Sequence, residues 1–409
     1  GGLARGAWAM RLFAVAAPEG WRVMPGGLAL TAPGETVTAL PTAGSAKDVW
    51  VLGDGPGGEV GASALLSRRN RVAHLRRTGR DLLSRVADNL FWLGRNAERA
   101  EFTLRVLRAV IERMIDAPRA DRAPALLNAL LSLRLAAPAE AETLGEVRAR
   151  VARLALDPAD PSALGPLLDA LYWGADATRA HLSRDAWRDV SALAADPVWR
   201  GEPEPGRALA LAGPVEDAIR SLAAFSGASH ENMTRNFAWR FLELGKRLER
   251  AVSTVAMFRA LFGARAEDES ARLLALLQLC DSFFAYRARY LTTPEAAPAI
   301  DLLILDETNP RSLAFQAARM EEALSDLPRL TPYRNAEHRA TLALLTVLRV
   351  TEAGPLAEVD ETGARAALVA LLDEAQTTLE RVSDQIGKAW FAHAEPVMTE
   401  VMAARGSRP

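Results

Sequence analysis

The chain has 409 residues, of which 49% are hydrophobic and 24% charged, as in an ordinary globular protein. A formal net charge of −2 argues against a surface that binds nucleic acid or an acidic membrane. The single cysteine, Cys280, excludes an internal disulfide, and the five histidines have no metal-ligand spacing, so we predict no metal site. Since no apolar run is long enough to cross a bilayer and no signal peptide is visible, we expect a cytoplasmic protein without a membrane partner.

The first 54 residues predict a small β segment of about four strands. The strand-like patterns lie at residues 11–15, 21–24, 35–40 and 47–52. The first two flank the turn signal at 18–20, which predicts a hairpin, and Pro25–Gly27 separates them from the rest. So short a segment cannot bury a core of its own. Because the chain also opens on Gly1 rather than Met, we expect it to be a piece of a longer polypeptide.

Residues 55–80 combine a Gly/Pro break with an Arg-rich stretch of little apolar periodicity, which predicts a solvated linker. From 81 to 395 the pattern predicts roughly ten to twelve helices without intervening strands, and residues 396–409 form a tail. The fold class is therefore mainly all-α, a multi-helix bundle with a small N-terminal β segment.

An internal repeat is the strongest signal in the helical part. The octapeptide at 93–100 returns at 244–251, a shift of 151 positions, and the apolar residues around each copy step by three and four. This pattern predicts two long helices with a shared packing seam, and two duplicated halves at about 81–200 and 213–330. Small seam residues, Ala97, Ala100 and Ala251, predict that the two helices approach each other closely.

Charged residues occupy a second stripe of these helices. They are Arg95, Glu98 and Arg99 in the first copy and Lys246, Glu249 and Arg250 in the second. One interpretation is a buried structural network of ion pairs that fixes how the helices meet. The other is a shared polar pocket, in which arginines bind a carboxylate or phosphate and glutamates bind an amine. We find no nucleophile–base pair, so the catalytic residues are unknown.

Other polar residues stand where a helical pattern would place apolar ones. The further candidates for substrate binding are Glu231, Arg235, Tyr286, Arg287, Asn309, Arg311 and His393. Glu231 and Arg235 have the i, i+4 spacing of a helical ion pair. Asn309 and Arg311 lie in a turn that enters a helix, whose amide dipoles favour an anion, although Asn309 also suits a plain cap.

These motifs together resemble the bacterial alpha-E family, named for its helices and its Glu-Arg motif. The residues that carry the resemblance are Leu83–Arg85, Asn89–Ala100, Glu231–Arg235, Trp239–Ala251, Tyr286–Arg287, Asn309–Ser312 and Phe391–His393. The resemblance covers about 81–395. It implies that the domain is encoded beside, or fused behind, a circularly permuted ATP-grasp domain, often near genes for transglutaminase-like proteins. This gene and domain context implies a role in forming peptide or amide bonds.

The N-terminal segment is similar to the C-terminal end of a circularly permuted ATP-grasp domain, on the residues Arg11–Val15, Val23–Leu28 and Ser45–Val51. The resemblance implies that Arg11, Lys47 and Asp48 are a remnant of that domain. Most of an ATP-grasp site would precede Gly1, so ATP and magnesium are implied for the full-length fusion, and we expect no cofactor for this chain alone. One departure from the pattern is Leu30, where an arginine usually stands.

Two functions follow as expectations. In the first, the chain is the C-terminal part of an ATP-grasp and alpha-E fusion, and its helical domain binds a substrate or carrier for ATP-dependent carboxylate–amine ligation. Its partners would be the ATP-grasp domain and a transglutaminase-like protein, and the chain alone would be inactive. The alternative is a non-catalytic helical scaffold or interaction domain with structural Glu-Arg pairs.

Overall fold

The computed structural model describes residues 7–17, 20–32, 45–50, 82–116, 125–135, 141, 143–291, 293–329 and 332–391. The chain separates into two compact units, residues 1–77 and 78–409. The predicted linker at 55–80 and the predicted tail at 396–409 lie outside the described residues.

The described part of the N-terminal unit forms a three-stranded antiparallel sheet. Its strands are β1 (Ala7–Ala17), β2 (Gly20–Ala32) and β3 (Ser45–Trp50), in the order β1-β2-β3. The predicted hairpin is confirmed, and the strand predicted near 35–40 lies outside the described residues. Backbone register places Arg11 opposite Leu28, and Leu28 in turn opposite Asp48.

Strand β2 continues through Pro25–Gly27, where the sequence predicted a separation. The pairing between β1 and β2 shifts register between Leu12 and Ala14, opposite this segment. A proline cannot donate to the ladder, and an irregularity of this kind leaves its nitrogen unpaired without ending the strand.

The second unit is helical. Its α-helices are α1 (Ser84–Asp116), α2 (Ala125–Ser132), α3 (Leu144–Leu156), α4 (Leu164–Ala177), α5 (Arg184–Ala195), α6 (Ala212–Asn232), α7 (Phe237–Phe262), α8 (Glu269–Leu279), α9 (Phe283–Tyr290), α10 (Ala296–Ile300), α11 (Leu313–Ser325), α12 (Ala336–Val350), α13 (Ala353–Ala357) and α14 (Ala366–Ile386). Side chains of Ser183, Asn236 and Ser312 accept backbone N–H groups at the starts of α5, α7 and α11.

The all-α fold class is confirmed for the described part of this unit. It contains 14 α-helices against ten to twelve predicted, and two of them, α10 and α13, have only five residues each. A helix of five residues is little more than one turn long, so it shows no apolar periodicity from which the sequence could predict it. The duplication of the two halves stays a prediction. No helix among the described residues is long and apolar enough to cross a membrane, and none of their His, Cys, Asp and Glu clusters could hold a metal ion.

The two long helices α1 and α7 cross at a pair of glycines. A Cβ on Gly94 would lie 2.9 Å from the backbone nitrogen of Lys246 and would overlap the carbonyl oxygen of Leu242. A Cβ on Gly245 would lie 2.9 Å from the carbonyl carbon of Phe91 and would overlap its oxygen. The backbones therefore touch at this point, and glycine is the residue that lets them do so.

Neighbouring elements enclose the crossing. Helix α1 also packs against α4 and α6, and α7 packs against α11 and α14. The π-helical turn Gly387–Phe391 closes one end, where the ring of Phe391 lies 5.3 Å from Phe91 and 5.8 Å from Phe241. Packing on so many sides buries the polar stripes of both long helices, so their charges must find partners inside the protein.

Candidate functional site

Two glutamate–arginine pairs join α1 to α7 reciprocally. Arg250 on α7 donates from Nε and Nη2 to the two carboxylate oxygens of Glu98 on α1, at 2.8 and 2.7 Å. Arg99 on α1 donates from Nε to Glu249 on α7 at 2.8 Å. Each glutamate is thus bound by the arginine of the other motif, in the charge-assisted geometry that makes strong hydrogen bonds.

The pair around Glu249 is closed by further partners. Its second carboxylate oxygen accepts from Nε of Arg95 at 2.6 Å, and Arg95 also donates from Nη1 to Ser383 at 3.1 Å. The guanidinium groups of Arg95 and Arg99 lie over the ring of Trp92, at 4.9 and 5.6 Å from its centroid. Both oxygens of Glu249 are therefore occupied by protein donors.

Lys246 occupies the position in the second copy that corresponds to Arg95 in the first. Its Nζ donates to the hydroxyl of Ser226 on α6 at 2.6 Å. Burial lowers the pKa of Lys246, and attraction to Glu243 and Glu98 opposes that shift without cancelling it. The two copies of the motif therefore differ here: Lys246 donates to a neutral hydroxyl, whereas Arg95 donates to the carboxylate of Glu249.

A further group of charges extends the network from Glu98 and Arg250. The carboxylate of Glu101 accepts from Nε of Arg105 and from Nη2 of Arg311, each at 2.9 Å, and lies 3.7 Å from Nη2 of Arg250. Burial raises the pKa of Glu101, but attraction to Arg311, Arg250 and Arg105 outweighs burial and holds this pKa well below its usual range. Glu101 is therefore ionised in the folded protein at neutral pH.

This charge state makes stability depend on acid pH. The pKa of Glu101 is lower in the folded protein than the ordinary value of 4.5, so its contribution is present above pH 4.5 and is lost as the pH falls. We expect the difference in free energy of unfolding between the wild type and Glu101→Gln to shrink by about 1.4 kcal/mol for each pH unit below that value. Urea denaturation of both proteins at several pH values from 7 to 3 measures this difference in the free energy of unfolding. A difference that stays constant over this range contradicts the ionised, paired state.

A small cavity lies beside this group of charges. Its volume is about 30 Å³, and it is lined by Glu98, Glu101, Phe102, Arg105, Arg250, Ser253, Thr254, Met257, Leu279, Cys280 and Arg311. Three guanidinium groups thus face two carboxylates. The space is large enough for about one or two water molecules. Burial raises the pKa of the Cys280 thiol to about 11, so it is not a nucleophile at neutral pH.

All six residues of the predicted stripe meet at the crossing of α1 and α7. Of these, Glu98 and Arg250 line the cavity, together with the later candidate Arg311. The group also contains Glu101 and Arg105, which were not among the predicted site residues. The spacing of Glu98, Glu101 and Arg105 by three and four residues places them on one face of α1 and was the signal available.

Comparison with known proteins agrees with this helical body and its paired Glu-Arg motifs. The Alpha-E family model, described as a predicted alpha-helical domain with a conserved ER motif, matches residues 82–391. The chain belongs to the Alpha-E family. Glu98-Arg99 and Glu249-Arg250 are both Glu-Arg dipeptides within the matched part.

Relatives of this Alpha-E protein occur in mycobacteria. The uncharacterized proteins Rv2567 of Mycobacterium tuberculosis and Mb2597 of Mycobacterium bovis are each 30% identical to it over 399 residues. The alignments cover 92% of this chain and 44% of each relative, so the chain spans less than half the length of the relatives it matches. No solved structure matches the chain.

Two other predicted residues of the Alpha-E domain hold loops in place. The hydroxyl of Tyr286 donates to the carbonyl oxygen of Thr293 at 3.2 Å and accepts from the backbone nitrogen of Glu295 at 2.9 Å. Asn309 donates from its side chain to the carbonyl oxygen of Leu302 at 2.8 Å and accepts from the backbone nitrogen of Arg311 at 3.1 Å. Asn309 thereby fixes the turn that presents the Arg311 side chain to Glu101.

Three other predicted residues do not join the network. Arg287 is exposed on α9, with its guanidinium 5.9 Å from the ring centroid of Phe283. Glu231 and Arg235 are exposed, and the predicted helical i, i+4 pair is wrong because α6 ends between them. Arg235 lies over the ring of Trp239 at 4.2 Å instead.

The remaining predicted residues are not described in atomic detail. His393 lies outside the described residues. Arg11, Lys47 and Asp48 are described by strand and register alone, and their side chains lie outside the described part of the structure.

Proposed function

We propose that this chain is the helical, substrate- or carrier-binding part of an ATP-dependent carboxylate–amine ligase. The observation that supports this most is the excess of guanidinium groups beside the Glu-Arg crossing, where Arg105, Arg250 and Arg311 meet Glu98 and Glu101. Guanidinium forks are suited to carboxylate and phosphate groups, which are the anions that such a ligation handles.

The length of the relatives also supports a larger enzyme. Because this chain corresponds to less than half of each mycobacterial protein, those proteins have room for a further domain. We assign ATP and magnesium to the ATP-grasp domain of the full-length fusion, as the resemblance of residues 11–51 to the C-terminal end of such a domain implies. When bound, ATP would supply the phosphoryl group that activates a carboxylate, and the helical part would bind and orient a reactant.

The ligase assignment is tested in the full-length protein by amide formation coupled to ADP release. We expect Arg311→Lys, which keeps the charge but loses the guanidinium fork, to raise the KM of the organic substrate about tenfold or more and to leave the KM of ATP unchanged. Arg220→Gln, which alters an exposed pair with Asp217, serves as the control. No amide formation by the full-length protein, or equal changes in both KM values, contradicts the proposal.

The location of the nucleotide site gives a separate prediction. We expect residues 1–409 alone not to bind Mg-ATP, because the proposed ATP site lies in the rest of the longer protein. Isothermal titration calorimetry of the chain with Mg-ATP measures this directly. Micromolar binding would place a nucleotide site within the chain and overturn the division of roles.

A second candidate is a non-catalytic scaffold, favoured by the reciprocity of the Glu-Arg pairs. Each carboxylate oxygen of Glu249 already accepts from a protein donor, and the cavity beside Glu98 has a volume of only about 30 Å³. In this function the network would fix the angle between α1 and α7, and the outer surface of the bundle would hold a partner. Activity measurements on Glu98 and Glu249 variants separate the two candidates.

A further inference from the structure

A surface cleft of about 260 Å³ adjoins the cavity beside Glu98 and Glu101. Arg105 and Leu279 line both spaces, so the Arg105 side chain stands between the buried network and the cleft. The charged residues around the cleft are Arg105, Arg108, Glu112 and Asp281. Two positive and two negative groups thus share one small space, which is just below the size of a typical ligand pocket.

Arg105 has hydrogen-bonding capacity directed at this boundary. Its side chain is only 7% exposed, and its Nε is bound to Glu101. Its Nη1 reaches the carbonyl oxygen of Leu279 at 3.5 Å and its Nη2 lies 3.7 Å from the carboxylate of Asp281. Both distances are long for charge-assisted hydrogen bonds, which are about 2.7 to 2.9 Å, so the outer guanidinium nitrogens can donate to a closer ligand oxygen.

Asp281 has a backbone conformation that disfavours its own side chain. Its φ is 52°, and it follows α8 in a Schellman turn, in which the backbone nitrogen of Ser282 donates to Leu277 at 2.8 Å and that of Asp281 to Gln278 at 3.0 Å. Glycine is the usual residue at such a position, because a Cβ there is strained. The aspartate nevertheless presents a carboxylate that is 69% exposed at the cleft.

We infer that this cleft binds a free α-amino acid with an apolar side chain. The carboxylate of the ligand would bind the outer nitrogens of Arg105 and the guanidinium of Arg108, and its ammonium group would bind Asp281 and Glu112. The apolar side chain would lie against Phe284, whose ring is 80% exposed at the cleft. A ligand carrying one charge would leave one pair of protein charges without a partner, and this penalty gives selectivity for the zwitterion.

The role of the amino acid as the amine substrate rests on the proposed ligase function, whereas its binding to the cleft does not. The buried network acts here as a support, because Glu101 holds Nε of Arg105 and leaves the outer nitrogens facing the cleft. Arg108 is partly paired with Glu216 at 3.4 Å, a pair at the surface that a ligand carboxylate can displace.

The test is calorimetric titration of the 409-residue chain with three probes: L-phenylalanine, 3-phenylpropanoate, which lacks the ammonium group, and phenethylamine, which lacks the carboxylate. We expect L-phenylalanine to bind at least about tenfold more tightly than either analogue. Absence of L-phenylalanine binding up to about 10 mM, or equal binding of the three probes, overturns the inference.

Two substitutions identify the site. Asp281→Gly relieves the backbone strain, so we expect a protein at least as stable as the wild type in which L-phenylalanine binds no better than 3-phenylpropanoate. Arg108→Gln should remove most of the advantage over phenethylamine, and the matched control Asp217→Asn, at an exposed pair on α6, should change nothing. Unchanged discrimination in Asp281→Gly overturns the inference.

The two proposals fail separately. If the chain binds no amino acid, the ligase proposal is not contradicted, because it is tested by amide formation in the full-length protein. If L-phenylalanine binds selectively but the full-length protein forms no amide, the amino acid is not its amine substrate, and the cleft is still an amino-acid binding site.

Discussion

Gly245→Ala is expected to destabilise the helical unit by about 3 kcal/mol. The added Cβ would overlap the Phe91 carbonyl and lie 2.9 Å from its carbon. This neighbour is the backbone of a buried helix, which cannot rotate away as a side chain can, so α1 and α7 must separate. Because the ion pairs cross the same interface, separation also lengthens the hydrogen bonds of Glu98 and Glu249. Chemical denaturation measures the loss of stability.

A matched control is Gly227→Ala, on the exposed side of α6. No heavy atom lies within 4 Å of the position that its Cβ would occupy. Since alanine is the better helix former, we expect this change to stabilise the protein by up to about 1 kcal/mol. Equal effects of the two substitutions would show that the helices do not touch at Gly245.

Glu98→Gln is expected to cost about 3 to 5 kcal/mol of stability, because it leaves the guanidinium of Arg250 buried without its bidentate partner. The side chain of Arg250 is 14% exposed, and its remaining carboxylate neighbour, Glu101, lies at 3.7 Å. Glu249→Gln is expected to cost less. Of the two arginines that bind Glu249, Arg99 is 29% exposed, and both Arg95 and Arg99 lie over the ring of Trp92. Thermal and urea denaturation of both variants measure the two costs.

Asp217→Asn controls for the loss of an ordinary ion pair. Its pair with Arg220 is exposed, so we expect a change in stability below about 1 kcal/mol.

The glutamate variants Glu98→Gln and Glu249→Gln also separate the two proposed functions when ligation is assayed in the full-length protein. A scaffold predicts activity in proportion to the folded fraction, whereas a binding role predicts lost activity even in the protein that remains folded. A cost for Glu98→Gln as small as that of the control would contradict the buried pairing of Glu98 with Arg250.

The sequence predicted the helical fold and most of the charges that meet at the crossing. A repeat with apolar steps of three and four places whole faces of two helices together, so the residues of the repeated motif could be expected to meet. The position of the contact was harder to read. Close approach was predicted at Ala97, Ala100 and Ala251, yet the backbone contact described above is at Gly94 and Gly245, because a crossing point depends on the angle between the helices.

Residues whose partners are distant in sequence could not be predicted. Glu101 meets Arg311 across 210 positions, and Arg105 meets the carbonyl of Leu279 across 174. Neither partner belongs to the repeat, so no periodicity connects them. The helical ion pair of Glu231 and Arg235 was wrong for a local reason, because the chain leaves α6 after Asn232, and spacing alone does not show where a helix ends.

The reciprocal exchange of partners at the crossing also constrains the order of folding. A chain that has reached only the end of α5 contains Glu98, while its arginine lies more than fifty residues further along. Burying that carboxylate early would leave it without a partner, so α1 must stay hydrated on this face until α7 arrives. Contacts so distant in sequence slow folding and expose the first half to aggregation during synthesis. Pulse-labelling hydrogen exchange would accordingly show α1 and α7 gaining protection together.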